Sequence, residues 1–124
     1  MSDPLPTLFA PNRPYKDFEP VMGVWAIRHL ASGRIFLGTS LHTAGALNRH
    51  VFTLRLGTHR NAALQRDWNE HGEAAFTTEI LHVLDRVSGR TETDNARDLQ
   101  TLERLWLEEL QPYGDAGYNP PARD

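Results

Sequence analysis

No cysteine occurs among the 124 residues, which excludes disulfides, thiolate-held zinc and a thiol nucleophile and suits a reducing compartment. No apolar run approaches the roughly 20 residues that a membrane span needs. The opening stretch Met1-Ser2-Asp3-Pro4-Leu5-Pro6 lacks the basic start and apolar core of a secretory signal. These absences lead to the expectation of a cytoplasmic protein that makes no use of a membrane. The length suits one hydrophobic core, since compact domains usually hold about 100–150 residues.

A further absence is local. Between Pro20 and Arg66 there is no Asp or Glu, yet Arg28, Arg34, Arg49, Arg55, Arg60 and Arg66 all fall there. From Asp67 onward thirteen acids face five arginines, so a net charge of −3 conceals a basic first half and an acidic second half. Two readings stand side by side. Segregated positive charge attracts polyanions, nucleic acid being the commonest large one. Alternatively, the first-half arginines pair with second-half carboxylates across the folded domain.

Prolines at positions 4, 6, 11, 14 and 20 prevent a helix interior or central strand and predict an extended arm over residues 1–20. Val24, Trp25, Ile27 and Leu30, then Ile35, Phe36 and Leu37, make two short strand-like runs joined by a tight turn at Ser32-Gly33, a predicted hairpin. Thr43 precedes Leu47, Val51 and Leu54 on one helical face that stops at Gly57. A second helix is predicted near Asn61–Glu70, with Leu64 and Trp68 on one side, and a third strand over Ala75–Leu84. Residues 86–95 read as polar loop, and a last helix runs from Ala96 to Leu110 before Pro112. The order gives an α+β class, a small three-stranded antiparallel sheet flanked by three helices. The domain spans 21–119, with a tail at 120–124.

The last helix carries a residue that does not fit its surroundings. Leu99, Leu102, Trp106 and Leu110 form one apolar stripe, and on an ideal wheel Glu103 falls inside it, about 40° from Leu99. A carboxylate aimed at a core costs several kcal/mol unless it is paired or holds a metal. Glu103 therefore needs either a first-half arginine or a divalent cation.

Taken in order, these residues resemble the GIY-YIG nuclease family across nearly all of 23–119. Gly23-Val24-Trp25 falls on its first motif and Phe36-Leu37-Gly38-Thr39-Ser40 on its second. His50 sits late in the first helix, where many members carry a histidine. Gly57-Thr58-His59 and the stretch Leu64-Gln65-Arg66-Asp67-Trp68-Asn69-Glu70-His71-Gly72 look like the homing-endonuclease branch. Glu103 with Trp106, and Gly117-Tyr118-Asn119, fall on the metal-binding glutamate and the closing motif. The resemblance implies Mg²⁺ or Mn²⁺ on Glu103, catalytic positions at Glu103, His50, His59 and Asn119, and DNA or RNA as partner. It also implies loss. Trp25 and Phe36 stand where the family has tyrosines, and Ala46 where it has an arginine one turn before His50. Tryptophan keeps an N–H donor but is no base, and phenylalanine keeps neither donor nor acceptor. Arg49 and Arg60 are the candidates to stand in for the missing arginine.

The expected function is a catalytically degenerate nuclease-fold domain that binds nucleic acid through Arg34, Arg49, Arg55, Arg60 and Arg66. The alternatives are an active but divergent metal-dependent endonuclease and a protein-interaction module using an exposed aromatic patch at Trp25 and Phe36. The two helices around Gly57 also admit a helix-turn-helix reading, which requires an exposed second helix.

Overall fold

A computed structural model describes residues 20–121. Apart from Pro20, the predicted arm lies outside the described residues, as does the end of the tail. The chain runs β1 (Met22–His29), β2 (Ile35–Ser40), α1 (Thr43–Leu56), α2 (Ala62–His71), β3 (Phe76–Leu84) and α3 (Glu92–Leu110). Short 3₁₀ turns occupy Glu73–Ala75 and Gly114–Ala116. The three strands make one antiparallel sheet in the order β2-β1-β3. The α+β class and the three-stranded antiparallel sheet follow the sequence expectation.

The central strand β1 is buried on both faces, which explains why its apolar residues form a run instead of alternating with polar ones. Trp25 and Ile27 point into a core with Leu47 and Leu54 of α1, Leu64 and Trp68 of α2, and Phe76. Val24 and Ala26 point the other way, joined by Ile35 and Leu37 of β2, with Leu102, Trp106, Leu107 and Leu110 of α3 packed over them. The sheet thus separates an α1/α2 layer from an α3 layer. That partition decides where each candidate side chain can act.

Gly23 belongs to a point of close strand approach. The β1–β3 register shifts between Val24 and Trp25, which pair with His82 and Ile80, leaving Leu81 as an extra residue on β3. A Cβ on Gly23 would lie 1.9 Å from the His82 carbonyl oxygen, so the first glycine of the hairpin motif is a packing requirement.

Most element limits lie within one residue of the sequence reading, and the start of the last helix differs by more. The last helix begins at Glu92, inside the stretch read as loop. Thr91 accepts from the Asp94 backbone N–H and Asp94 accepts from the Thr91 backbone N–H, a reciprocal capping box that starts a helix on polar residues.

Candidate functional site

The hairpin and the end of α1 bring four predicted positions together on the α1/α2 face. The Trp25 and His50 rings lie 4.6 Å apart, Trp25 and Phe36 5.4 Å, Phe36 and His50 5.5 Å, and Phe36 and His59 5.7 Å, centroid to centroid. His50 Nδ1 lies 2.9 Å from His59 Nε2. The Trp25 ring covers Gly38, where a Cβ would fall 2.5 Å from the indole, so the glycine of the second motif makes room for the tryptophan of the first. Trp25 is almost fully buried and its indole N–H has no partner among the described residues. Ala46 is buried in the same core cluster. Trp25, Phe36 and Ala46, the positions at which the resemblance leads one to expect two tyrosines and an arginine, are therefore mutually packed apolar groups.

Sequence reading singled out the two histidines but missed the residues that hold them. The His59 backbone N–H donates to Gln65 Oε1, and the Asn61 backbone N–H donates to His59 Nδ1 at 3.0 Å. Buried Gln65 donates in turn to the Leu54 carbonyl and to Asn69. Asn61 caps α2 by accepting from Leu64 N–H and donates to the Tyr118 carbonyl. A cap signal was present, an asparagine immediately before an apolar helical face. Gln65 entered only as part of the stretch that resembles the homing-endonuclease branch, because a glutamine beside Leu64 reads as surface until the fold buries it. Burial first, then the charges of His59 and Arg49, lowers the His50 pKa from 6.5 to about 4. Burial also lowers that of His59.

Glu103 lies in the other layer. No hydrogen bond or ion pair among the described residues joins it to the histidines or to any arginine, so the internal ion pair considered from sequence is not formed. Burial raises the Glu103 pKa above the ordinary carboxylate value, and the nearby Thr39 hydroxyl offsets part of that rise. A half-buried carboxylate with no cationic partner fits a hard divalent ion, which takes oxygen ligands. A separate group, Asp67, Glu70 and His71, brings its ligand atoms within 4.8 Å of one another. Asp67 Oδ2 is already engaged there, accepting from Arg34 Nη1 at 3.1 Å and from the Tyr118 hydroxyl at 2.7 Å. Asn119 uses its side-chain oxygen on Leu37 N–H and its side-chain nitrogen on the Leu37 carbonyl, fastening the tail to the outer edge of β2.

The arginines divide cleanly. Arg28 pairs with Glu79, Arg34 with Asp67 and Arg55 with Glu73, each a first-half cation on a second-half carboxylate. Arg34 also donates to the Gly114 and Gly117 carbonyls and lies over the Tyr118 ring, which turns it inward and away from the basic surface expected of it. Arg55 is exposed but held by Glu73. Arg49, Arg60 and Arg66 are exposed and have no ion-pair partner among the described residues. Arg49 precedes His50 on α1 and its charge acts on that ring, Arg60 adjoins His59 in sequence, and Arg66 lines an open hollow of about 540 Å³ with His59 and Asn69.

Burial decides two other readings. Leu64, Gln65 and Trp68 are buried, so α2 is not the exposed helix that a helix-turn-helix needs. Trp25 is buried and Phe36 partly so, which leaves no exposed aromatic patch at the hairpin.

The sheet order, the hairpin motifs and the flanking helices define a GIY-YIG-like fold. Two solved structures share it. One is the catalytic domain of the homing endonuclease I-TevI, 26% identical, TM-score 0.60, covering 82% of this chain and 99% of that one. The other is a point mutant of the catalytic domain of the intron endonuclease I-TevI, 23% identical, TM-score 0.64, covering 80% of this chain and 92% of that one. No protein-family model and no curated protein matches the sequence. No helix among the described residues is long and apolar enough to cross a membrane.

Proposed function

We propose that this chain is a nucleic-acid-binding domain on a GIY-YIG-like nuclease fold whose hydrolytic centre has been given over to packing. The observation that carries the reading is the division of the arginines. Of the six first-half arginines three are paired within the fold, and the other three, Arg49, Arg60 and Arg66, lie beside His50 or His59 in sequence or in space. An electrostatic clamp of that kind holds phosphates without reading bases. The site lacks what hydrolysis requires, since Trp25, Phe36 and Ala46 offer the attacking water no base and the phosphate no buried cation. Loss of a charge-stabilising group costs factors of hundreds in rate.

The test is retention of DNA and RNA oligonucleotides over a range of salt. Neutralising about three phosphates predicts a slope of log K against log salt of about −2 to −3, since each neutralised phosphate contributes about −0.9 on duplex and −0.7 on single strands. Salt-independent retention, or none at all, overturns the reading.

A second reading is favoured by Glu103 alone. Mg²⁺ or Mn²⁺ held there would supply Lewis-acid stabilisation of charge on a scissile phosphate. The lack of any arginine on Glu103 supports this. Nicking of supercoiled plasmid that requires the divalent ion and disappears in Glu103→Ala would establish an active endonuclease; absence of nicking leaves the binding domain.

A further inference from the structure

We infer that His50 serves as a fixed N–H donor to a phosphate oxygen of bound nucleic acid, and that His59 and the Asn61 backbone are positioning groups that set its tautomer. This rests on the binding function proposed above and assigns a role within it.

A backbone N–H can only donate, so the contact from Asn61 fixes His59 Nδ1 as an unprotonated acceptor. Neutral His59 then carries its proton on Nε2. That atom lies 2.9 Å from His50 Nδ1, so the contact is a donation and His50 Nδ1 is unprotonated as well. Neutral His50 must therefore carry its proton on Nε2. This nitrogen has no hydrogen-bond partner among the described residues and is not among the fully buried unpartnered atoms, so it is not sealed from solvent. The relay runs one way, from Asn61 through His59 to His50, and ends on the His50 Nε2–H of a half-buried ring that feels the charge of Arg49.

The same chain of bonds excludes the role a histidine in a nuclease site usually suggests. A general base needs an accessible bare nitrogen, and the bare nitrogen of His50 faces His59. Protonating either ring would set two hydrogens against each other, or one against the Asn61 N–H. The lowered His50 pKa agrees with this geometry. What remains at neutral pH is a neutral donor that adds a directed hydrogen bond to the undirected attraction of the arginines.

The experiment uses the full ¹⁵N-labelled chain and long-range ¹H–¹⁵N correlation of the imidazoles, free and with a 12-nucleotide oligothymidylate or a duplex DNA. The expected result is the Nε2–H tautomer for both His50 and His59, with His50 Nε2 shifting on binding while Nδ1 stays unprotonated. His59→Ala should release His50 into a tautomer mixture and weaken binding about 3- to 10-fold; His59→Gln, whose amide can donate to His50 Nδ1, should restore both. A predominantly Nδ1–H tautomer of His50 in the wild-type chain overturns the relay. Binding without a shift at His50 Nε2 overturns the donor role and spares the arginine-based function. No binding of either probe overturns that function and the donor role together, even where the tautomers are as stated. The two wild-type measurements decide the matter even if His59→Ala does not fold.

Discussion

At the scale of single residues, the hairpin positions that differ from the GIY-YIG pattern the sequence resembles are adjusted to one another. Trp25 fills space over Gly38, and Ala46 is buried in the same cluster. Gly38→Ala would place a methyl group against an indole that His50 and Phe36 already enclose, at an expected cost of about 1–3 kcal/mol. A urea midpoint unchanged from wild type would show that Trp25 can shift freely. His50 gives a pH-dependent prediction. Its pKa is depressed by folding from 6.5 to about 4, so the unfolded chain binds the extra proton. The contribution is complete above about pH 6.5 and is lost as pH falls towards 4. Because the ring is half exposed, solvent screening reduces it to about 1–2 kcal/mol. Urea unfolding at about pH 7.5 and pH 5 should show His50→Phe losing less stability on acidification than wild type, the carboxylates being common to both. Equal losses would mean that His50 titrates normally in the folded chain.

At the scale of elements, what the sequence disclosed depended on what drives each element. Helix α1 was predicted at its observed limits, Thr43–Leu56, because an apolar face ending at a left-handed glycine is a local signal. The start of α3 was missed because its first turn is polar, and its stabilisation comes from the reciprocal bonds of Thr91 and Asp94. Thr91→Ala should cost about 1 kcal/mol and lower the melting temperature, whereas Thr93→Ala, an exposed position between the two box residues whose side chain takes no part in their reciprocal bonds, should change little. Equal effects would argue against the cap. The candidate site was legible in its histidines and in Glu103, whose wheel position implied partial burial. It was not legible in its support. Gln65 and Asn61 act through contacts that only tertiary structure creates, and the placement of Glu103 and the histidines on opposite layers follows from strand alternation at Phe36 and Thr39.

At the scale of the whole molecule, the charge asymmetry has resolved into two populations with different work. The paired first-half arginines join the halves of the chain, and the unpaired ones form the proposed binding surface. A stability measurement and a binding measurement should therefore separate them. Arg34→Gln removes the cation that bridges Asp67, the tail carbonyls and the Tyr118 ring, in a pair whose side chains are 24% and 14% exposed. Breaking a fully buried pair costs 3–5 kcal/mol, so this partly solvated one should cost about 2–3 kcal/mol, with the salt slope of nucleic-acid binding unchanged. Arg49→Gln, Arg60→Gln and Arg66→Gln should each leave stability within about 0.5 kcal/mol, as surface substitutions usually do. Each should also flatten the salt slope by up to about 1. If Arg34→Gln flattened the slope while the other three left it alone, the cations that fold the domain would also be the ones that bind, and the separation argued from their partners would be lost.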